Sequence, residues 1–256
     1  SVDEKATGED HFKKISKVSS FLKKKRCDYL LITAPENVAW LLNIRGADIP
    51  FSPIPNCRLI INKYKNFFLI SDIRKLRKLI SEKKISKKKI INPKNFEKFI
   101  NNLKGKKIMI DAKTCSIYNE RIIKSKFEVI LRQDPCYYLK SLKNSYEINN
   151  MKEAHIYDGL ALTKFIYWIK NMGNKKITEL SAEKKLLNLR KKNKNFLYPS
   201  FSTIAGAGAN GAIIHYRANK KTNRLIHKND IFLCDSGGQY KFGTTDVTRT
   251  MCFSKP

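Results

Sequence analysis

The sequence predicts a mixed α/β (α+β) protein with two domains. Its 256 residues suffice for one large or two ordinary domains with well-developed cores. Short runs of β-branched and aromatic residues alternate with amphipathic segments in the first half, a pattern typical of an α/β domain. The second half opens with long helical patterns and closes with paired strands. The backbone before a proline avoids the helical conformation, so we place the boundary at Asp134-Pro135, giving domains 1–134 and 135–256.

The first domain is predicted to begin with an amphipathic helix over Glu9–Arg26, where apolar residues recur at helical spacing. Strands and helices then alternate to the boundary. In chain order we predict the strand Tyr29–Thr33, a helical turn at Pro35–Leu42, a hairpin of Leu59–Ile61 and Phe67–Ile70, helices at Asp72–Lys83 and Lys94–Leu103, the strand Ile108–Ile110, the helix Cys115–Lys124 and the strand Phe127–Leu131.

The second domain is predicted to begin with a long helix that follows Lys143–Glu147 and ends near Met172, because Gly173 is a stop signal. A second helix, Glu179–Lys194, has a hydroxyl cap at Thr178 and an acid in its first turn. An extended segment, Phe196–Ile204, follows. For the long helix we predict an apolar face formed by Ile148, Met151, Ile156, Leu160, Phe165, Ile166 and Ile169.

Composition places the chain among globular proteins, with 42% hydrophobic residues. No apolar run approaches the roughly 18 residues that a membrane span needs, so we expect no membrane partner. The formal net charge is +30, but the basic residues are spread over many short clusters. Net charge of this kind indicates non-specific association, and we expect no specific nucleic-acid partner. The six cysteines show no C-x-x-C spacing, which favours a reducing, cytoplasmic location.

The segment Asp230–Phe253 is predicted to form an antiparallel hairpin around the turn Gln239–Gly243. If the ladder is centred between Tyr240 and Lys241, Asp235 lies directly opposite Asp246. Two carboxylates so close repel each other unless a cation lies between them, and oxygen ligands on facing strands suit one or two divalent metals. Aspartate is also common in turns, where it binds the local backbone, so the spacing alone leaves both interpretations open.

Residues 205–212, AGAGANGA, spell the pattern G-x-G-x-x-G with Gly206, Gly208 and Gly211. A dinucleotide site would need a helix to begin there, so that its N-terminus faces the pyrophosphate. A short β-branched segment, Ala212–Tyr216, follows instead. The context therefore disfavours nucleotide binding.

Three stretches resemble the pita-bread metallopeptidases and, within them, the Xaa-Pro aminopeptidase (aminopeptidase P) family. They are Asp235–Tyr240 with Gly243–Thr250 (DSGGQY and GTTDVTRT), Asn210–Tyr216 (NGAIIHY) and Glu36–Pro50 (ENVAWLLNIRGADIP). The resemblance implies a creatinase-N-like α/β domain followed by the N-terminal half of a pita-bread catalytic domain. Prolidases are related, but the wording of the first two stretches resembles aminopeptidase P more closely.

The resemblance implies a metalloaminopeptidase that releases the N-terminal residue from peptides with proline in the second position. Asp235 is then a ligand of one metal ion and Asp246 a bridge between two, with manganese as the usual metal, and His215 contacts the substrate and the reacting intermediate. A neutral imidazole can donate to a developing oxyanion, which is consistent with that role. The full-length protein is then expected to be a homodimer.

The family's metal site has three further ligands, a histidine and two glutamates, which follow the second aspartate. The sequence printed here ends before such residues. We therefore expect it to be a fragment that is inactive alone. The alternative function is a catalytically inactive pita-bread module that binds peptides or proteins. Such modules typically lack the metal-binding aspartates, whereas Asp235, Asp246 and His215 are all present.

Overall fold

The structure, a computed structural model, describes residues 2–171, 173 and 176–254. The chain divides into two compact units, residues 1–49 with 53–144 and residues 50–52 with 145–256. The first unit contains a mixed sheet between two layers of helices, and the described residues of the second form two α-helices and two small sheets. The predicted fold class, a mixed α/β protein, is confirmed.

The first unit contains a six-stranded sheet and seven α-helices in its described residues. In chain order these elements are α1 (Glu4–Thr7), α2 (His11–Lys24), β1 (Tyr29–Ile32), α3 (Pro35–Leu42), β2 (Arg58–Asn62), β3 (Phe67–Ile70), α4 (Arg77–Ser81), β4 (Ile90–Ile91), α5 (Phe96–Asn102), β5 (Lys107–Ile110), α6 (Ile117–Lys124), β6 (Glu128–Leu131) and α7 (Pro135–Ser141). Nearly all of the predicted strands and helices are therefore present, and α1, β4 and α7 were not predicted.

The strand order is β4-β3-β2-β1-β5-β6, in which β2 runs antiparallel to both neighbours and the other pairs are parallel. Both faces of the sheet pack against helices. Neighbouring side chains of a strand point to opposite faces, so each strand contributes to two cores. Leu30 and Ile32 of β1 join a core with α2 and α3, while Tyr29 and Leu31 join a core with α5 and α6. The unit is thus a three-layer α/β/α domain.

The two units meet in sequence between Asn144 and Ser145, whereas we predicted a boundary at Asp134-Pro135. Pro135 is the first residue of α7, where a proline needs no N–H partner, and α7 packs against α2 and α3. Asp134 caps this helix from a buried position, accepting from the Cys136 backbone N–H at 2.9 Å and from Asn37 Nδ2 at 2.8 Å. The structure therefore assigns α7 to the first unit.

The second unit begins with two helices, α8 (Ser145–Lys170) and α9 (Glu179–Arg190), which pack against each other. The predicted end of the first helix at Met172 lies outside the described residues. Five strands follow in two sheets, ordered β10-β7 and β11-β9-β8: β7 (Phe196–Pro199), β8 (Ile204–Ala207), β9 (Phe232–Ser236), β10 (Gly238–Tyr240) and β11 (Val247–Met251). None of the described helices combines the length and the apolar composition needed to span a bilayer.

The buried face of α8 differs from the face that we predicted in its first half. Phe165 and Ile169 are buried as expected, but Ile156 and Leu160 are 69% and 56% exposed. The face that packs inward instead carries small residues and an acid that forms an ion pair, which apolar spacing does not predict. The buried residues of α8 are Ala154, Asp158, Ala161, Leu162, Phe165 and Ile169. Small side chains allow the hairpin to approach closely, since a Cβ on Gly243 would lie 2.6 Å from Ala154 Cβ.

Candidate metal centre

The predicted metal-binding aspartates lie on the antiparallel pair β9 and β11. Strand β9 lies in the middle of its sheet, between β8 and β11, and its alternate residues Phe232 and Cys234 are buried in the core. Asp235 points to the opposite face, because neighbouring side chains on a strand alternate. A central strand anchored by apolar residues thus holds Asp235 in place.

Asp235 lies opposite Thr248, and not opposite Asp246 as we predicted. The chain reverses at Lys241 and Phe242, because the Tyr240 N–H donates to the Gly243 carbonyl at 2.8 Å. The ladder is therefore centred one residue later than predicted. A hydrogen bond from Thr244 Oγ1 to Gln239 Oε1 at 2.7 Å supports the same register.

The two aspartates nevertheless share one face of the hairpin. The register is the same on both sides of Asp246, since Val247 pairs with Ser236 and Gln239 with Thr244. Asp246 precedes Thr248 by two residues, so its side chain lies on the same face as Thr248 and Asp235. Diagonal neighbours of this kind have Cα atoms about 7–8 Å apart, with side chains within reach of each other.

The two carboxylates are available for a ligand. Asp235 is half-buried and its Oδ1 accepts a hydrogen bond from Thr248 Oγ1 at 2.8 Å, while Asp246 is exposed. Neither forms a salt bridge with a basic side chain of the described residues. The adjacent Cys234 is not a competing ligand, because its side chain is buried in the core on the opposite face of β9, where burial raises the pKa of its thiol to about 12.

His215 lies in an exposed turn with φ of 56°, three residues after a short 3₁₀ turn, Gly208–Ala212. This turn packs against β8 and β9. Across the described ranges no three His, Cys, Asp or Glu side chains gather as a metal-binding group, so His215 does not form such a group with the two aspartates. Its role stays a prediction.

The glycines of the G-x-G-x-x-G pattern serve this tight turn. A Cβ on Gly206 would lie 2.8 Å from the Gly211 Cα, and Gly208 has φ of 54°, a conformation that L side chains rarely adopt. The 3₁₀ turn ends at Ala212, and no α-helix begins there to face a pyrophosphate. The pattern therefore has a structural explanation.

Two buried acids that the sequence analysis did not identify support the site. Glu179 is fully buried at the start of α9 and accepts hydrogen bonds from four residues that follow it in the chain: Ala207, Asn210, Tyr216 and Arg224. From the sequence we predicted only that Glu179 is an acid in the first turn of its helix. The cap itself is confirmed, since Thr178 and Ser181 form a capping box.

The second buried acid, Asp158 of α8, forms a two-bond ion pair with Arg190 of α9 at 2.7 and 2.9 Å. Tyr240 donates to the same carboxylate at 2.9 Å, and Arg190 also donates to Ser236 Oγ at 3.1 Å. Burial raises the pKa of Tyr240, and the neighbouring carboxylate raises it further, so the hydroxyl remains a donor. This network holds Ser236, the residue that follows Asp235 in β9.

The residues present fit part of a divalent metal site. Two carboxylates without basic partners on one strand face supply hard oxygen ligands, which suit Mg²⁺, Mn²⁺ or Ca²⁺. Affinity depends on ligand number and charge, so two ligands alone would bind such an ion weakly. Asp235 and Asp246 could therefore supply two of the ligands of such a site.

The two halves of the chain match two known family models. Residues 1–147 match the creatinase/prolidase N-terminal domain, and residues 149–256 match metallopeptidase family M24. The chain therefore belongs to the creatinase/prolidase family, with an M24 metallopeptidase segment as its second half. The predicted creatinase-N and pita-bread architecture is confirmed.

Two of the relatives that the chain matches are named Xaa-Pro aminopeptidases. The chain is 36% identical over 264 residues to Xaa-Pro aminopeptidase 1 of Dictyostelium discoideum, with all of the chain and 41% of that protein covered. It is 35% identical to Xaa-Pro aminopeptidase ApepP of Drosophila melanogaster, covering 95% of the chain and 41% of the relative. The chain thus spans about two fifths of these relatives, at 41% of their length.

Solved structures show the same similarity. The chain matches the X-prolyl aminopeptidase of Caenorhabditis elegans, described as a cytosolic enzyme with a di-nuclear active site, with a TM-score of 0.90 and 29% identity over all of the chain and 43% of that protein. It also matches the prolidase of Pyrococcus horikoshii with a TM-score of 0.69, at 23% identity over 95% of the chain and 66% of the prolidase, which shows the shared fold.

Proposed function

We propose that the protein to which this chain belongs is a metal-dependent Xaa-Pro aminopeptidase, which removes the N-terminal residue from peptides with proline in the second position. The observation that carries the proposal is the placement of Asp235 and Asp246 on one face of the β9–β11 hairpin, without basic partners among the described residues. The named relatives with this activity, and the di-nuclear site of the similar C. elegans enzyme, support it.

Asp235 would ligate one divalent ion and Asp246 would bridge two, with manganese as the proposed metal. When bound, such ions lower the pKa of water and stabilise developing negative charge. Thr248 Oγ1 donates to one oxygen of Asp235 and leaves the other free. His215 would donate an N–H to the substrate carbonyl oxygen as negative charge develops on it.

We further propose that the present chain is inactive alone, because two carboxylates do not complete a site of five protein ligands. The full-length protein is proposed to be a homodimer. It is also proposed to be cytoplasmic, in keeping with the similar C. elegans enzyme, which is described as cytosolic. The alternative, an inactive module that binds peptides, would not need the free pair of aspartates.

The test is hydrolysis of an Xaa-Pro-Pro peptide by the full-length protein and by this chain, each stripped of metal and then supplied with Mn²⁺. We expect activity in the full-length protein only, and a loss of at least about 100-fold in kcat for Asp246→Ala. Asp72→Ala is the matched control, because Asp72 is a carboxylate of the first unit that pairs with Arg74. A folded, metal-loaded full-length protein without activity would contradict the proposal and favour the binding module.

A further inference from the structure

The turn that carries His215 is tied at both ends to one buried carboxylate. Asn210 precedes the turn and donates from Nδ2 to Glu179 Oε1 at 3.0 Å. Tyr216 follows His215 directly, and its hydroxyl donates to Glu179 Oε2 at 2.8 Å. Tyr216 is buried whereas His215 is exposed, so the anchored residue and the exposed one are neighbours in the chain.

Two backbone groups complete the environment of Glu179. The Ala207 N–H, at the end of β8, donates to Oε1 at 2.8 Å, and the Arg224 N–H donates to Oε2 at 3.2 Å. A fully buried carboxylate is stable only when such donors replace its lost hydration. Because these donors come from both sides of the turn, the carboxylate of Glu179 holds the turn in place.

The backbone conformation of His215 is an unfavourable one for a residue with a side chain. Its φ of 56° lies in the left-handed region, which residues with a Cβ rarely adopt. Such a conformation persists only where the surroundings enforce it. The Tyr216 N–H donates to the Ile213 carbonyl at 3.1 Å and closes the turn, and the side chain of Tyr216 fixes its end.

We infer that Glu179 is a positioning residue for His215: its buried carboxylate fixes both ends of the turn and thereby sets the place of the imidazole. This inference rests on the proposed function for its catalytic consequence, but the geometric part concerns the chain alone. A glutamine at this position would keep the shape, but its amide nitrogen cannot accept a hydrogen bond. One or more of the four donors would then lose their acceptor.

The test compares Glu179→Gln with Glu183→Gln, the same substitution one turn further along α9. The half-buried Glu183 accepts no hydrogen bond from the described residues, which makes it a matched control. The chain has four histidines, so ¹³C-histidine NMR resolves them, and His215→Gln identifies the signal of His215. We expect Glu179→Gln to shift or broaden that signal while those of His11 and His155 stay in place, and Glu183→Gln to leave all of them unchanged.

In the full-length protein we expect Glu179→Gln to lower kcat about tenfold or more with less than about a threefold change in KM, because a misplaced group is lost mainly from the transition state. Tyr216→Phe removes one donor and should cause a smaller loss of kcat, and it serves if Glu179→Gln does not fold. An unmoved His215 signal, or equal kcat in the two glutamine variants, would overturn the inference. A wild-type protein without activity would instead refute the proposed function, and the NMR result would still decide the positioning role.

Discussion

Four acidic residues of the second unit form two contrasting pairs at the residue scale. Asp158 and Glu179 are fully buried and each accepts several hydrogen bonds, whereas Asp235 and Asp246 lie on an accessible face. The sequence could identify the second group, because both residues lie in a hairpin pattern. It gave no sign of the role of Glu179, whose partners Ala207 and Arg224 are 28 and 45 residues away and meet it only in the fold.

Asp28, just before β1, provides a residue-scale prediction in the first unit. Desolvation raises its pKa, but hydrogen bonds from Lys63 Nζ and from the backbone N–H groups of Lys106 and Lys107 outweigh that effect and lower the pKa to about 2. An unfolded aspartate has a pKa of about 3.9. The stabilisation is therefore complete above about pH 4 and is lost as the pH falls towards 2.

We expect Asp28→Asn to lower the free energy of unfolding by about 1–2 kcal/mol at pH 7, and by about half as much at pH 3. Urea unfolding can be followed by the fluorescence of Trp40, which lies in the same unit, in a Trp168→Phe background. Glu97→Gln, at an exposed position of α5, is the control and should change stability by less than about 0.5 kcal/mol. An effect of equal size at both pH values would contradict the assignment.

At the scale of elements, the sequence predicted the strands and the β2–β3 hairpin well, but not the register of the β9–β11 hairpin or the buried face of α8. Strand identity depends on local apolar runs, whereas register depends on where the turn closes. The Tyr240–Gly243 pair moved the hairpin by one residue from the predicted centre. The face of α8 was set by the Asp158–Arg190 ion pair, which a search for apolar spacing does not find.

Gly237 supplies the prediction for the hairpin. A Cβ at this position would overlap the Thr245 carbonyl oxygen and Ser200 Oγ, so the strands come together only because Gly237 has no side chain. We expect Gly237→Ala to destabilise the second unit by about 1–3 kcal/mol. The measurement is urea unfolding followed by Trp168 fluorescence in a Trp40→Phe background.

Gly159 is the matched control, because it lies within α8 and a Cβ there would meet no atom within 4 Å. Gly159→Ala should stabilise the same unit by about 0.5–1 kcal/mol, since alanine restricts the unfolded chain and favours the helix. If both alanine variants shifted stability in the same direction, the close approach at Gly237 would not limit the hairpin.

For the whole molecule, composition predicted a globular protein, and the sequence predicted two domains. We predicted the boundary before α7, whereas the two units meet after α7. A proline after an acid marks a turn and also marks the first residue of a helix, and the sequence alone does not distinguish these uses. In the structure, the contacts of α7 with α2 and α3 show that Pro135 begins a helix of the first unit.

The net charge of +30 leads to a prediction for the whole molecule. Lysine clusters such as Lys23–Lys25 at the end of α2 and Lys87–Lys89 before β4 lie on the surface of the first unit, and neither belongs to the candidate site. Spread charges attract any polyanion by releasing counterions, without recognising a base sequence.

We expect two unrelated DNA duplexes of equal length to bind this chain with the same affinity, in fluorescence anisotropy titrations. That affinity should fall by at least about tenfold between 50 and 200 mM salt. A preference of more than about tenfold for one duplex that persisted at 200 mM salt would mean that the charge serves specific recognition, and the proposed peptidase would then have a second ligand.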